Sequence, residues 1–250
     1  MTGNTYKDLS VILAEKQRVI EELKEEKNSL LRVISHDIKS PFNQLFALIQ
    51  LIELEGENLG ERQKEYIEKM YFAVISGIEM IQNLQDFRSI DQENLQVSMD
   101  RYDLRILLKK IVAKFQIQSR LMKVEISLKE EPAPVFIHTD EILFLKILEK
   151  ILSNAIKYSP AQSTVEMAIE QDEGEIWIRI RDQGPGLNAQ ELPYIYEPFR
   201  TLSVKPVAGG GTTGLGMYIV NKISGMLGIR VQIRKVRSGG LIVSLRLPKK

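Results

Sequence analysis

The chain has 250 residues, 44% of them hydrophobic and 27% charged, which is enough for two modest domains with separate cores. Its 34 basic and 33 acidic residues leave a formal charge of +1, so there is no electrostatic case for nucleic acid and any phosphate chemistry must be local. The absence of cysteine excludes disulfides, thiolate catalysis and cysteine zinc sites and suits a reducing compartment, while two histidines, His36 and His138, argue against a multi-histidine metal centre.

The opening "MTGNTYKDLS" lacks the basic-then-apolar layout of a signal peptide, and no run approaches the ~20 apolar residues of a membrane span. A soluble chain is expected, with a membrane-anchored parent left open. From Leu9 to about Leu54 there is no glycine, and the only proline is Pro41. Ile12, Val19, Leu23, Leu30 and Val33 recur near heptad spacing, interrupted by Lys16 and Glu26. This predicts a long helix with a partner, a short parallel coiled coil; the alternative is a solvated single helix. Pro41 cannot donate to the carbonyl of Asp37, so a bend or loosening is expected beside His36.

The run "ELEGENLGE" over 53–61 predicts a turn. A second helix follows, with Tyr66 or Ile67, Met70, Val74, Gly77 or Ile78, Ile81, Leu84 and Phe87 on one face. One hairpin cannot cover two apolar stripes, whereas dimerisation into a four-helix bundle would.

The character changes around 91–104, which puts a domain boundary near residue 95. Beyond it "KVEISL", "EIWIRIRD", "IRVQIRKV" and "LIVSLRLP" read as strands, and Leu104 to Gln118, Asp140 to Tyr158 and Thr213 to Leu227 as helices. The mixed order predicts an α/β sandwich, a mixed sheet with helices on one face, giving an α+β chain overall.

Three patches of the second domain carry chemistry. In "LEKILSNAIKYSP" (148–160) Asn154 and Lys157 share a helical face, where an amide oxygen can ligate Mg²⁺ and an ammonium can neutralise phosphate; helix-end capping is the plainer alternative. In "RDQGPGL" (181–187) two glycines let a ligand approach the main chain, and Asp182 can accept from the exocyclic amine of a purine. In "AGGGTTGLGMYIV" (208–220) a glycine loop opens a helix, leaving N–H groups and a dipole that favour phosphate. Neither a P-loop nor a Rossmann fingerprint is present.

Taken in order, these patches resemble the ATP-binding domain of bacterial sensor histidine kinases: "SNAIKYSP" as the N box, "DQGPGL" and "GTTGLGMYIV" as the glycine boxes and "YEPF" as the F box. "SHDIKSP" (35–41) is similar to the H box of the same family, whose histidine accepts phosphate. The resemblance divides the chain into a signalling coiled coil (1–30), a dimerisation and phosphotransfer hairpin (31–95) and a catalytic ATP-binding domain (96–250). It implies ATP and Mg²⁺ as cofactors, a homodimer, a response-regulator receiver domain as partner and a cytoplasmic location.

By the same resemblance His36 receives the γ-phosphoryl group and Asp37 orients or deprotonates its ring. Asn154 ligates the metal, Lys157 meets phosphate, Tyr158 walls the pocket and Asp182 reads adenine. Gly184 and Gly186 shape the adenine end; Gly214, Leu215 and Gly216 serve the phosphates; residues 200–213 form a lid from which Arg200 reaches the γ-phosphate. Two positions depart from the pattern. Lys150 stands where the family carries a second asparagine, and its ammonium is expected either to bind phosphate or to compete with Mg²⁺. Ser40 stands where relatives with phosphatase activity hold a water with threonine or asparagine. The rival reading is a dimeric relay module with a degenerate ATP domain. A third, a chaperone- or mismatch-repair-type ATPase, lacks the hairpin.

Overall fold

The computed structural model describes residues 2–56, 59–90, 96–129, 131–172, 174–207, 211–237 and 239–248, and for residues 2–11, 14, 24–28, 30–37, 55 and 172 it describes the backbone alone. The first helix, α1, runs over Thr2–Glu55 and passes through Pro41 without a break. The second, α2, spans Glu61–Ile90 and returns antiparallel. The Gly60 N–H donates to Gln63 Oε1 at 2.9 Å and secures the start of α2.

The two arms meet through Ile49, Ile67, Tyr71 and Val74, with Phe42 and Phe46 against them. The rings of Phe46 and Tyr71 pack edge-on with centroids 5.5 Å apart. The Tyr71 hydroxyl donates to Glu53 at 3.0 Å, and burial together with that carboxylate pushes it up to about 12. A Cβ on Gly77 would lie 2.0 Å from the Phe42 ring, so the bare backbone is what lets the arms close here. Ile67, Val74, Ile81 and Phe87 are buried as the periodicity predicts. Met70 and Tyr66 are not, at 42% and 51% exposed. Tyr71 takes the inward place instead because its hydroxyl finds Glu53 there.

The boundary expected near residue 95 falls within 91–95, outside the described residues. Beyond it, β1 (Asp100–Asp103) pairs antiparallel with β3 (Phe136–Thr139) in a short ribbon. Helix α3 (Leu104–Met122) is capped by Asp103, whose carboxylate accepts the Arg105 N–H, and stops at Lys123 in the left-handed conformation. Helix α4 (Glu141–Tyr158) is capped by Asp140 through the Leu143 N–H at 3.0 Å.

The main sheet contains β2 (Glu125–Leu128), β4 (Thr164–Asp172), β5 (Glu175–Arg181), β7 (Leu241–Arg246) and β6 (Arg230–Lys235) in the order β2-β4-β5-β7-β6. Among the described residues only the β2–β4 pair is parallel. Alternation sends Val165, Met167, Ile169, Ile178, Ile180, Val243 and Leu245 into one core with α3, α4 and α5 (Gly216–Met226). The opposite face carries exposed pairs such as Arg179–Glu170 at 3.0 Å. The predicted α+β architecture is therefore what is found, a helical hairpin followed by a mixed sheet with helices on one side. The last turn of α2 joins this second core through Phe87 and Ile90.

Candidate functional site

Helix α4 presents Asn154, Lys157 and Tyr158 to a cavity that is closed on its other sides by Asp182, Gly186, Arg200, Gly214 and Gly216. The strongly apolar opposite face of α4, with Phe144, Ile147, Leu148, Leu152 and Ile156 fully buried, fixes the helix against the sheet and so aims its polar residues outward.

Asp182 immediately follows β5 and is buried. Its Oδ1 accepts from Gly184 N–H at 2.9 Å and Leu241 N–H at 3.1 Å, leaving Oδ2 with no partner among the described residues. Burial holds the carboxyl above its ordinary value, and the two N–H bonds offset this only in part. Burial, and then the charge of Glu79, push the Tyr158 hydroxyl up, opposed by a hydrogen bond with Thr212.

The glycine loop reaches α5 through Gly214, whose φ is +67°. A Cβ there would sit 2.5 Å from the Arg200 carbonyl oxygen, so glycine is required by conformation and by space. No side chain caps α5, and Gly216 and Met217 of its first turn line the cavity next to Asn154, whose amide nitrogen is 3.7 Å from where a Gly216 Cβ would be. Arg200 is exposed, pairs with Glu197 at 2.7 Å and lies over the Tyr194 ring at 3.8 Å. Residues 208–210 of the expected lid lie outside the described residues.

Two residues grouped with these from the sequence do not line the cavity. Leu215 is fully buried in the core, where it anchors the loop. Gly184 stands behind Asp182, where a Cβ would press within 2.7 Å of the Tyr158 carbonyl. His36 and Asp37 lie on α1, and their side chains fall outside the described residues. Lys39 Nζ donates to Gln82 at 3.4 Å, so the backbone of His36, almost one turn earlier, is level with the stretch of α2 around Gln85.

Sequence reasoning missed the contribution of α2. Glu79, Met80 and Asn83 also line the cavity. Lys157 Nζ pairs with Glu79 at 2.6 Å, and Ser153 Oγ donates to the same carboxylate at 2.9 Å. Lys150, 4% exposed, neither faces open solvent nor stands free for phosphate. Its Nζ is 2.7 Å from Asp86 and 2.6 Å from Asn83 Oδ1, while Lys146 holds the other oxygen of Asp86 at 2.7 Å. Burial alone would raise the Asp86 carboxyl; Lys150 and Lys146 outweigh it, and the group lies below its ordinary value. Lys150 also lines the cavity, and there its ammonium is held in a salt bridge to the hairpin. The signal was a polar stripe, Glu79, Asn83 and Asp86, at one-turn spacing.

A helical hairpin is thus joined to an α/β sandwich in which an amide–ammonium helix face, a buried carboxylate and a glycine loop opening a helix surround one cavity. Residues 139–250 match the family described as histidine kinase-, DNA gyrase B- and HSP90-like ATPase, and residues 26–93 match the His Kinase A (phospho-acceptor) domain. The two matches, in this order along the chain, support a sensor histidine kinase core.

Among its relatives, the sensor protein KdpD of Clostridium acetobutylicum is 28% identical over 236 residues, covering 94% of this chain and 26% of its own length. The sensor histidine kinase YcbM of Bacillus subtilis is 22% identical over 246 residues, 96% and 78% of the two chains. The chain thus spans about a quarter of KdpD and most of YcbM. Similar folds are found in full-length ShkA in complex with AMPPNP (TM-score 0.60, 22% identity, 88% of this chain and 45% of that one) and in the Acinetobacter baumannii histidine kinase AdeS (0.55, 18%, 86% and 98%). Among the described residues no helix is long and apolar enough to cross a membrane.

Proposed function

We propose that this chain is the core of a dimeric, cytoplasmic histidine autokinase that moves the γ-phosphoryl group of ATP to His36 and then to an aspartate on the receiver domain of a response regulator. The observation that carries this reading is the convergence of Asn154, Lys157, Tyr158, Asp182 and the loop of Gly214 and Gly216 on one cavity, in a chain whose first helix bears "SHDIKSP".

The free Oδ2 of Asp182 accepts from the exocyclic amine of adenine, and Tyr158 walls the base. The triphosphate runs toward the uncapped start of α5, where first-turn N–H groups and the dipole receive it. Lys157 neutralises phosphate charge and Arg200 reaches the terminal group by leaving Glu197.

Mg²⁺ fits this site: the Asn154 amide supplies a hard oxygen beside Gly216, and such ions commonly combine one or two protein oxygens with substrate phosphates. Among the described residues no cluster of three His, Cys, Asp or Glu forms a cage that would hold a metal without the nucleotide. When bound, the ion neutralises charge on the transferring phosphate.

At His36 a ring nitrogen of the neutral imidazole attacks the γ-phosphorus. The bond from phosphorus to the β–γ bridging oxygen breaks, its electron pair leaves with ADP, and the proton on the other ring nitrogen passes to Asp37. In the second transfer a receiver carboxylate attacks phosphorus, the N–P bond breaks and the imidazole regains that proton.

Incubation with γ-labelled ATP is the test. Label that is acid-labile, base-stable and absent from His36→Gln supports the autokinase. Nucleotide binding without label identifies the rival relay module, which the lysine at 150 in place of an N-box asparagine favours.

A further inference from the structure

Helix α2 enters the nucleotide cavity with a carboxylate, and ion pairs to α4 hold the helix there. Glu79, Asn83 and Asp86 follow one another by about a turn on α2; Lys146, Lys150, Ser153 and Lys157 do the same on α4. The two stripes meet along their length. At one end Asp86 is locked between Lys146 and Lys150, and Asn83 bridges from Lys150 to the Thr213 hydroxyl at 3.3 Å. At the other end the Glu79 carboxylate spans Ser153 and Lys157 with both of its oxygens.

The two ends differ in kind. Lys150 and Asp86 are 4% and 2% exposed and lie away from water, so neither leaves the other cheaply. Glu79 is partly exposed, lines the cavity beside Asn154 and satisfies the ammonium that a triphosphate in that cavity must use. A carboxylate and a phosphate cannot both hold that ammonium without facing one another as like charges.

We propose that Glu79 is an intramolecular competitor for the phosphate site, a hairpin carboxylate that occupies Lys157 in the resting kinase and is displaced by the nucleotide, with Lys150 serving as the anchor that delivers it. The proposal rests on the reading of the cavity as an ATP site. It also gives the departure at position 150 a purpose: an asparagine there would leave Asp86 without one of its two countercharges, whereas the lysine ties the hairpin to the helix that holds the nucleotide.

The experiment is calorimetric titration of the full chain with Mg²⁺–ATP and, separately, with adenosine, for the wild type, Glu79→Gln and Asp86→Ala. Asp86 does not itself line the cavity but its partner Lys150 does, so in the second variant amide exchange over residues 79–86, and not affinity alone, reports release of the anchor. Glu79→Gln should bind ATP roughly five- to tenfold more tightly, with adenosine affinity unchanged, because only the phosphates compete. Asp86→Ala should move ATP affinity in the same direction and raise amide exchange over residues 79–86 before any nucleotide is added. ATP affinity that is equal or weaker in Glu79→Gln, in a wild type that binds both ligands, overturns the competition alone. A wild type that binds neither ligand overturns the ATP reading, and the competition with it.

Discussion

Two buried carboxylates in this protein are displaced in opposite directions, and the contrast sets an order of events on acidification. Asp182 lacks a cation and is raised, so its ionised, amine-accepting form is lost as the pH falls through a value above the ordinary ~4. Asp86 has two ammonium partners and is lowered, so its contribution to docking is complete above ~4 and is lost only as the pH falls through a lower value. Adenosine affinity should therefore fail before the hairpin lets go of α4, which titration calorimetry and amide exchange over residues 79–86, run across the same pH series, would record as two separate losses. Asp182→Asn keeps an acceptor for Gly184 and Leu241 but turns an amide N–H toward the purine amine. It should cost about 1.5–3 kcal/mol of binding, ten- to hundredfold in ATP affinity. Asp182, Asn154 and Lys157 were legible in the sequence because each sits in a short motif whose neighbours explain it. Lys150 was not, because its partners Asn83 and Asp86 stand more than 60 residues earlier, and no local pattern connects them.

At the scale of elements, the same limit recurs in a different form. The long helices and the strands β2, β5, β6 and β7 announce themselves through periodicity. Strand β4 did not: it alternates correctly, but Glu166, Met167, Ala168 and Glu170 are good helix formers, and only pairing with β2 and β5 decides the matter. Strands β1 and β3 have four residues each, too few to display a period. On α2 a polar stripe looks like a solvated face until α4 is laid against it. Two consequences can be measured. Gly77→Val drives side-chain atoms into the Phe42 ring and should lower hairpin stability by about 1–3 kcal/mol in urea unfolding. For the helix contact, Lys150→Met strands Asp86 with Lys146 alone and should cost about 3 kcal/mol. Adding Asp86→Leu should recover most of that, so the double-mutant cycle closes with a large coupling term.

The whole molecule leaves its apolar inventory unbalanced. Ile38, Leu45, Leu48 and Ile52 on α1 are each more than 40% exposed, and Tyr66 and Met70 on α2 join them, forming a surface that a second hairpin would cover. Leu45→Glu combined with Leu48→Glu should convert a dimer into a monomer in sedimentation velocity. If the label reaches His36 only from the partner's nucleotide, the same variant should abolish autophosphorylation.

Helix α2 also has a double allegiance. Ile67, Tyr71 and Val74 are built into the hairpin, whereas Phe87 and Ile90 are built into the sandwich, where the Phe87 ring lies 5.1 Å from Phe199 and 5.4 Å from Tyr218. An unbroken rod seated in two bearings behaves as an axle: torque applied at its hairpin end, around Tyr71, is felt at Phe199, the chain neighbour of the cavity-lining Arg200, without any loop having to carry the message.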